Sequence, residues 1–505
     1  MQSAGLQQLF TGLIVAYPAV EVNIFVLYLW IKIGIGGGNV EKSRLYIRNA
    51  VILALVNILL RGAAVSFNGY VAGKIGAESM GLFTLVMSIY GFAVTLATSS
   101  VNLAAVRLTA ERCARIAGAD AVSYRKTIRQ VIGSVCRYSL LFGCGAAVLL
   151  LSFSRPIAQL LLDDMRTLSS LRVLAFGLPA ISLTSALNGY FTGMRKIVKN
   201  AVMILWEQAA KFCITATALV CVVPTGSVEY MCLAVVGGSA AAEAFSLLAA
   251  VILYLTDSRI PKGDTPGTDS RFLPTGFQDA AGIAFPVAVG AYARQGLVTA
   301  EHLAIPWGLR QSGSSQEEAL AAYGVLQGMA LQVVLFPYAV IGAFTGMLIP
   351  EVTALDAVGE QEKLRKLCGK VLRTAAVFSL VSFAVFFLFA DSLGNGIYHT
   401  PEAGEYIRKL AFLVPFMYMD TVTDALLKGL GEQRYCMKVN IADALISLVL
   451  VVLLTPPLGL GGYIVSMYAC EIINLYLSAH KLYMRICRGE KTAVKISPNP
   501  QREQG

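Results

Sequence analysis

Apolar runs of roughly 20 residues or more recur along the whole chain, each long enough to cross a hydrocarbon core of about 30 Å as a helix. The breaks between them are polar and mostly short. Of the 505 residues, 56% are hydrophobic and only 14% charged, where a soluble globular chain carries about 25% charged residues. A soluble multidomain protein is excluded. The chain reads as an all-α, polytopic membrane protein.

Spans are expected at 9–31, 47–71, 80–102, 128–152, 170–193, 200–223, 230–256, 277–304, 320–349, 370–390, 404–428, 437–456 and 460–484 by the hydropathy rule. Lys and Arg gather in alternate loops: Arg107 to Arg129, Arg195 to Lys199, Arg259 to Arg271, Lys363 to Arg373, Arg434 with Lys438, and the tail from Arg485. The loops between, such as 224–229, 391–405 and 456–459, hold few basic residues or none. The positive-inside bias makes the first set cytoplasmic, so the core spans from residue 47 onward begin and end inside. The same bias accounts for the net charge of +10 without a nucleic-acid partner. Ten cysteines stand without a C-x-x-C pair and three histidines lie far apart, which points to no disulfide framework, metal site or cofactor. No P-loop, dinucleotide fingerprint or catalytic-triad spacing occurs, so no catalytic residue is assigned and the chain is read as a non-enzyme.

The longest polar break inside the core, 257–276, is rich in Pro, Gly, Asp and Ser and reads as a linker. It divides the core spans equally. The expected domains are an N-terminal extension 1–44, a six-helix bundle 45–256, a cytoplasmic linker 257–276, a second six-helix bundle 277–486 and a cytoplasmic tail 487–505. The halves look related. Each opens with a helix bearing a mid-span arginine, Arg61 and Arg294, followed at the same spacing by Asn68 and Glu301. Gly193 precedes Glu207 as Gly429 precedes Asp443, and the last span of each half carries one glutamate, Glu243 and Glu471. Both copies begin inside, which makes the repeat parallel, with a pseudo-two-fold axis along the membrane normal and a substrate site between the halves near mid-membrane.

The extension fits this plan poorly, and two readings stay open. The run 9–31 is an added span, or Gly36-Gly-Gly-Asn39 is a translated purine tract before a start at Val40. N-terminal sequencing of the expressed protein separates them, since a chain starting near residue 40 removes the span.

Ionisable side chains at membrane depth cost on the order of 2.5–3.5 kcal/mol each on insertion scales, so they mark function by default. Arg61 and Arg294 are the strongest candidates, because guanidinium groups grip phosphate oxygens bidentately and stay charged. Asn57, Asn68, Glu301 and His302 join them as substrate-binding candidates. Glu301 shares a helix face with Arg294, where an ion pair is an equal reading, and His302 points about 100° away. Glu207 and Lys211 have the spacing of a helical ion pair, as do Asp420, Asp424 and Lys428, which suggests charge neutralisation. Glu207, Glu243, Asp443 and Glu471 are candidates for ion coupling or gating.

Particular stretches go further. Leu45-Tyr-Ile-Arg-Asn-Ala50 through Lys74-Ile-Gly-Ala-Glu-Ser-Met-Gly-Leu82, Asn188-Gly-Tyr-Phe-Thr-Gly193 with Glu207-Gln208, Ala300-Glu-His-Leu-Ala-Ile-Pro306 and Tyr323-Gly-Val-Leu-Gln-Gly-Met-Ala330 resemble the stage V sporulation protein B and polysaccharide biosynthesis family. Leu348-Ile-Pro-Glu351 and Lys428-Gly-Leu-Gly-Glu-Gln433 complete the likeness, which covers about 45–486 in order. The extension departs from it. The resemblance implies the multidrug/oligosaccharidyl-lipid/polysaccharide exporter superfamily, with two six-helix bundles around a V-shaped cavity. It also implies a polysaccharide-precursor flippase, with cavity arginines where Arg61 and Arg294 stand.

The expected function is therefore a flippase for an undecaprenyl-pyrophosphate-linked sugar, a peptidoglycan precursor or other polysaccharide unit, in a bacterial plasma membrane and in the service of the spore cortex. Its expected partners are that lipid-linked oligosaccharide, membrane lipids and cell-wall synthesis proteins. A cation-coupled multidrug exporter of the same fold and a non-transporting scaffold for cell-wall assembly are the alternatives.

Overall fold

The computed structural model describes residues 40–115, 121–194, 196–225, 227–256 and 277–487. The expected span at 9–31, the linker 257–276 and the tail from residue 488 lie outside them. The side chains of residues 40–59, Asn57 among them, also lie outside.

Helix α1 (Val40–Thr98) carries two spans, because it breaks at Gly76 with φ 79° and ψ 173°. A residue with a Cβ is strained there, and glycine is not. After Ser99 and Ser100, both at positive φ, the chain continues as α2 (Val101–Arg115), so the expected span 80–102 is a broken one. Then follow α3 (Ala121–Pro156), α4 (Leu168–Gly193), α5 (Ile197–Val222) and α6 (Val228–Leu255). The second half opens with α7 (Phe277–Gln311) and α8 (Gln316–Tyr323), the latter started by a Ser315–Glu318 capping box. A π-helical stretch Gly324–Ala330 leads through α9 (Leu331–Val334) into α10 (Tyr338–Val358). Next are α11 (Gln361–Leu388), α12 (Ala390–Leu393), α13 (Pro401–Ala411), α14 (Val414–Gly429), α15 (Gln433–Leu458) and α16 (Leu460–Cys487). Every core span expected from 47 onward falls on helix.

Eight described helices are long and apolar enough to cross a membrane, or nine if α13 and α14, bent by 53°, form one span. The chain is a multi-pass membrane protein. Within each half the helices pack as a bundle. In the first, α4 lies against α2, α3 and α6; in the second, α15 lies against α7 and α16, and α14 against α10 and α11. The repeat shows in the packing of two matched glycines. A Cβ on Gly193 of α4 would come 2.8 Å from the Val106 carbonyl of α2, and one on Gly429 of α14 would come 2.8 Å from the Val352 side chain of α10. Each half thus seats the end of its fourth span on its second.

The halves meet along two seams. On one, α1 faces α7, where Thr299 donates to the Ser88 carbonyl at 3.1 Å and Gly296 lies 3.5 Å, measured from a Cβ, from Phe92. On the other, α1 faces α8 and the π stretch. A Cβ on Gly81 would overlap the carbonyl oxygen of Leu320, and one on Gly324 that of Ala77. Near Gly81, Asp163 completes the outer contact by pairing with Arg310 at 2.7 Å and accepting from Gln316 on its carbonyl at 3.0 Å. That ion pair is exposed and adds little by itself. The close backbone approach is the stronger constraint.

Gly81→Ala or Gly324→Ala is expected to lower stability by about 1–3 kcal/mol, the usual cost of overpacking. Gly73→Ala, which meets nothing within 4 Å, should leave the thermal midpoint of the purified protein unchanged or raised.

Candidate functional site

Between the halves, beside the second seam, lies a cleft of about 250 Å³. Its walls come from both arms of α1, from α5 and α6, and from the π stretch with α9. Its polar lining is Arg61, Asn68, Thr84, Gln208, Lys211 and Gln332, and its apolar lining includes Phe67, Phe83 and Phe212. Phe67 and Phe212 stack at 4.4 Å. Among the described residues, two cations line this cleft and no Asp or Glu does.

The cleft exists because the π stretch opposite α1 is glycine-bearing. Gly328 leaves room for Met80, and its carbonyl accepts from Asn68 at 2.6 Å. Arg61 crosses to the second half, donating from Nη2 to the Gln332 side chain at 3.3 Å, with Tyr398 and Tyr418 within electrostatic reach. No carboxylate pairs with Arg61 among the described residues. A guanidinium carries five N–H groups, so most of its donor capacity remains for a ligand.

Lys211, one turn beyond Glu207 on α5, also looks into the cleft. The direct Glu207–Lys211 pair suggested by spacing is not formed. Glu207 accepts instead from Ser246 of α6 at 3.0 Å. Lys211 feels both Glu207 and Glu243 electrostatically, yet it has no hydrogen bond or ion pair among the described residues.

The matched positions of the second half are arranged differently. Arg294 is exposed on α7, does not line the cleft, and interacts with Asp443 of α15. No ion pair joins it to Glu301 among the described residues. Glu301 accepts from Ser447 of α15 at 2.8 Å, and the His302 Nδ1 meets the Tyr323 hydroxyl at 2.9 Å. Asp443 lies within electrostatic reach of Glu301, Glu471 and Asp420. Asp420 in turn accepts from Asn474 at 3.2 Å, and Lys428 pairs with Asp424. No group of three metal-ligating side chains is arranged to hold an ion among the described residues. The structure thus brings Arg61 together with Asn68 on the cleft, and in a separate place sets Asp443 within electrostatic reach of Arg294, Glu301 and Glu471.

Sequence reasoning passed over Lys211, Gln332 and Ser447 as site residues. Helical spacing made Lys211 look neutralised, and nothing local marks a glutamine or serine whose partner lies on another helix. The Tyr323–Ala330 stretch was the available signal, since its two glycines are among the positions where the halves touch.

Residues 46–269 match the family model described as polysaccharide biosynthesis protein. Stage V sporulation protein B of Bacillus subtilis (strain 168) is 23% identical over 442 residues, covering 86% of this chain and 83% of that protein. The chain is similar to the polysaccharide biosynthesis family. The resemblance read from its motifs is shown, and it runs through the walls of the cleft. An inward-facing multidrug resistance MATE family transporter of the MOP superfamily superposes with a TM-score of 0.65 at 15% identity, over 87% of this chain and 99% of that one. A MOP superfamily transporter from Pyrococcus furiosus Vc1 (DSM3638), described as having a binding pocket of reverse polarity, gives 0.61 at 15% identity, over 88% and 96%. The fold of this polysaccharide-biosynthesis relative is MATE-like.

Ser447→Ala should destabilise the protein by about 1–3 kcal/mol, because it leaves the Glu301 carboxylate without its donor. In a Glu301→Gln background the same change should cost less, which a double-mutant cycle on thermal midpoints measures.

Proposed function

We propose that the protein is a flippase that carries an undecaprenyl-pyrophosphate-linked sugar, a peptidoglycan precursor or related polysaccharide unit, across the bacterial plasma membrane, with the spore cortex as its destination. The observation that carries this reading is the charge of the cleft. Arg61 and Lys211 line it, and among the described residues no carboxylate does. A cationic drug would meet repulsion there, whereas an anionic headgroup would satisfy donors that the protein leaves unpaired.

Arg61 holds the pyrophosphate through paired N–H groups of its guanidinium. Asn68, Gln208, Gln332 and Thr84 offer hydrogen bonds to sugar hydroxyls, and the stacked Phe67 and Phe212 offer a flat apolar face. Glycans and aromatic side chains complement each other in that way, one polar at its rim and the other apolar at its face. The undecaprenyl chain stays in the lipid beside the seam while the headgroup crosses. Glu301, Asp443 and Glu471, with Arg294 among them, form a second charged site that serves ion coupling. Alternation between states proceeds by rocking of one bundle against the other about the site. The likeness to stage V sporulation protein B supports the substrate class and the link to sporulation, and the MATE-like fold supports the rocking.

The second-half carboxylates favour one rival, a cation-coupled exporter that places a cationic substrate among them. Reconstituted protein separates the two. Proteoliposomes should translocate undecaprenyl-pyrophosphate-linked sugar and leave a cationic dye in place. Arg61→Ala should cut that transport by at least about tenfold, the usual loss when a charged hydrogen bond is removed. Arg61→Lys should recover part of it, since a point charge replaces a fork. Dye transport with unchanged rates in Arg61→Ala would overturn the reading.

A further inference from the structure

Lys211 has a second property beyond the charge it gives the cleft. It is an ammonium inside a membrane bundle with no acceptor in bonding contact among the described residues, and such a group is costly unless something completes it. It lines the same cleft as Arg61. Behind it, away from the lining, stand Glu207 on the same helix and Glu243 on α6. Glu207 is oriented by the Ser246 hydroxyl, which donates to its Oε2 at 3.0 Å. Tyr90, from the second arm of α1, lies within electrostatic reach of both glutamates. Its hydroxyl is buried with no hydrogen-bond partner among the described residues. Arg61 on the first arm is the other charged group of the cleft. Lys211 thus lines the cleft with two carboxylates in electrostatic reach that do not line it.

We propose that Lys211 is the second anion-binding cation of this cleft, and that Glu207 and Glu243 are internal competitors for its charge whose protonation releases it to the ligand. The inference rests on the reading of the cleft as a site for a phosphate-bearing headgroup. With both glutamates ionised, their field opposes an arriving anion and holds Lys211 back from it. When one of them takes a proton from water, the net charge of the trio rises by one and the ammonium is free to bind. Linkage requires the converse, so anion binding promotes proton uptake by the pair. Tyr90 supplies a hydroxyl near the carboxylate that takes the proton.

The matched place in the second half shows why this belongs to the first. There Arg294 lies within electrostatic reach of Asp443 and outside the cleft lining. The repeat positions Glu207 and Glu243 are kept as Asp443 and Glu471, while residue 447 opposite Lys211 is serine and bonds to Glu301. The lysine is the element that turns a shared acidic pair into a device read by an anion.

The test uses the full chain in detergent, with farnesyl pyrophosphate as the probe and calorimetric titration between pH 5.5 and pH 8 in buffers of different ionisation enthalpy. Wild-type protein should bind more tightly as pH falls and take up protons on binding. Lys211→Gln should weaken binding at low pH by at least about tenfold, and Lys211→Arg should restore most of it. Glu207→Gln with Glu243→Gln should tighten binding at pH 8 and abolish the uptake. The pH dependence left in that double variant measures the titration of the probe's own phosphate. Binding that needs Arg61 and is indifferent to Lys211 would overturn the inference and leave the proposed function standing. So would proton uptake that survives the double glutamate change. Failure of wild-type protein to bind the probe at any pH would overturn the proposed function and the inference with it. Should Lys211→Gln fail to fold, the glutamate variants and Lys211→Arg decide by the same titration.

Discussion

A guanidinium on a membrane-length helix, without a carboxylate partner among the described residues, is the constraint on which the rest depends. A bilayer tolerates such a charge only where protein or water completes it. Arg61 meets the condition by reaching across to Gln332 in the other half while its remaining donors face a cleft. The two halves therefore approach closely enough to share this residue yet do not close over it. The glycines at 81, 324 and 328 supply that approach, since each lies where a Cβ would strike the other half. Seam and cleft are two consequences of one piece of packing.

The internal repeat makes the charge distribution legible by its departures. Both halves keep an arginine on the first span and an acid on each of the last two. In the second half the arginine lies within electrostatic reach of Asp443, and Ser447 donates to Glu301. In the first half the arginine turns away to the partner bundle, and Lys211 takes the place beside the acids. One half thus presents cations to the cleft and the other keeps a cluster of carboxylates out of it. The two halves thus carry differently charged groups of side chains in one fold, Arg61 and Lys211 on the cleft and Asp443, Glu301 and Glu471 away from it.

The helices and their grouping were readable from hydropathy, because a bilayer sets both length and apolarity for each span. Where breaks occur inside spans, local chemistry explains them only afterwards. Gly76 and Ser99 are ordinary residues of membrane helices until the neighbouring bundle is in place. The site was half readable. A lone mid-span Arg61 is visible in one dimension because nothing beside it can neutralise it. Arg294 looks the same in sequence, and its partner Asp443 lies on a helix far along the chain. Lys211 shows the opposite error, where a glutamate one turn away suggested a pair that the fold does not make. Helical spacing reports what can meet on one helix, and these charges are settled between helices.

A cleft lined by Arg61 and Lys211 should select its lipid by the charge of the headgroup. Native mass spectrometry of the purified protein, offered undecaprenyl pyrophosphate and undecaprenol in equal amounts, tests this most directly. The account predicts that the pyrophosphate lipid is retained in clear preference and that the preference fades as ionic strength rises. Equal retention of the two lipids would contradict it.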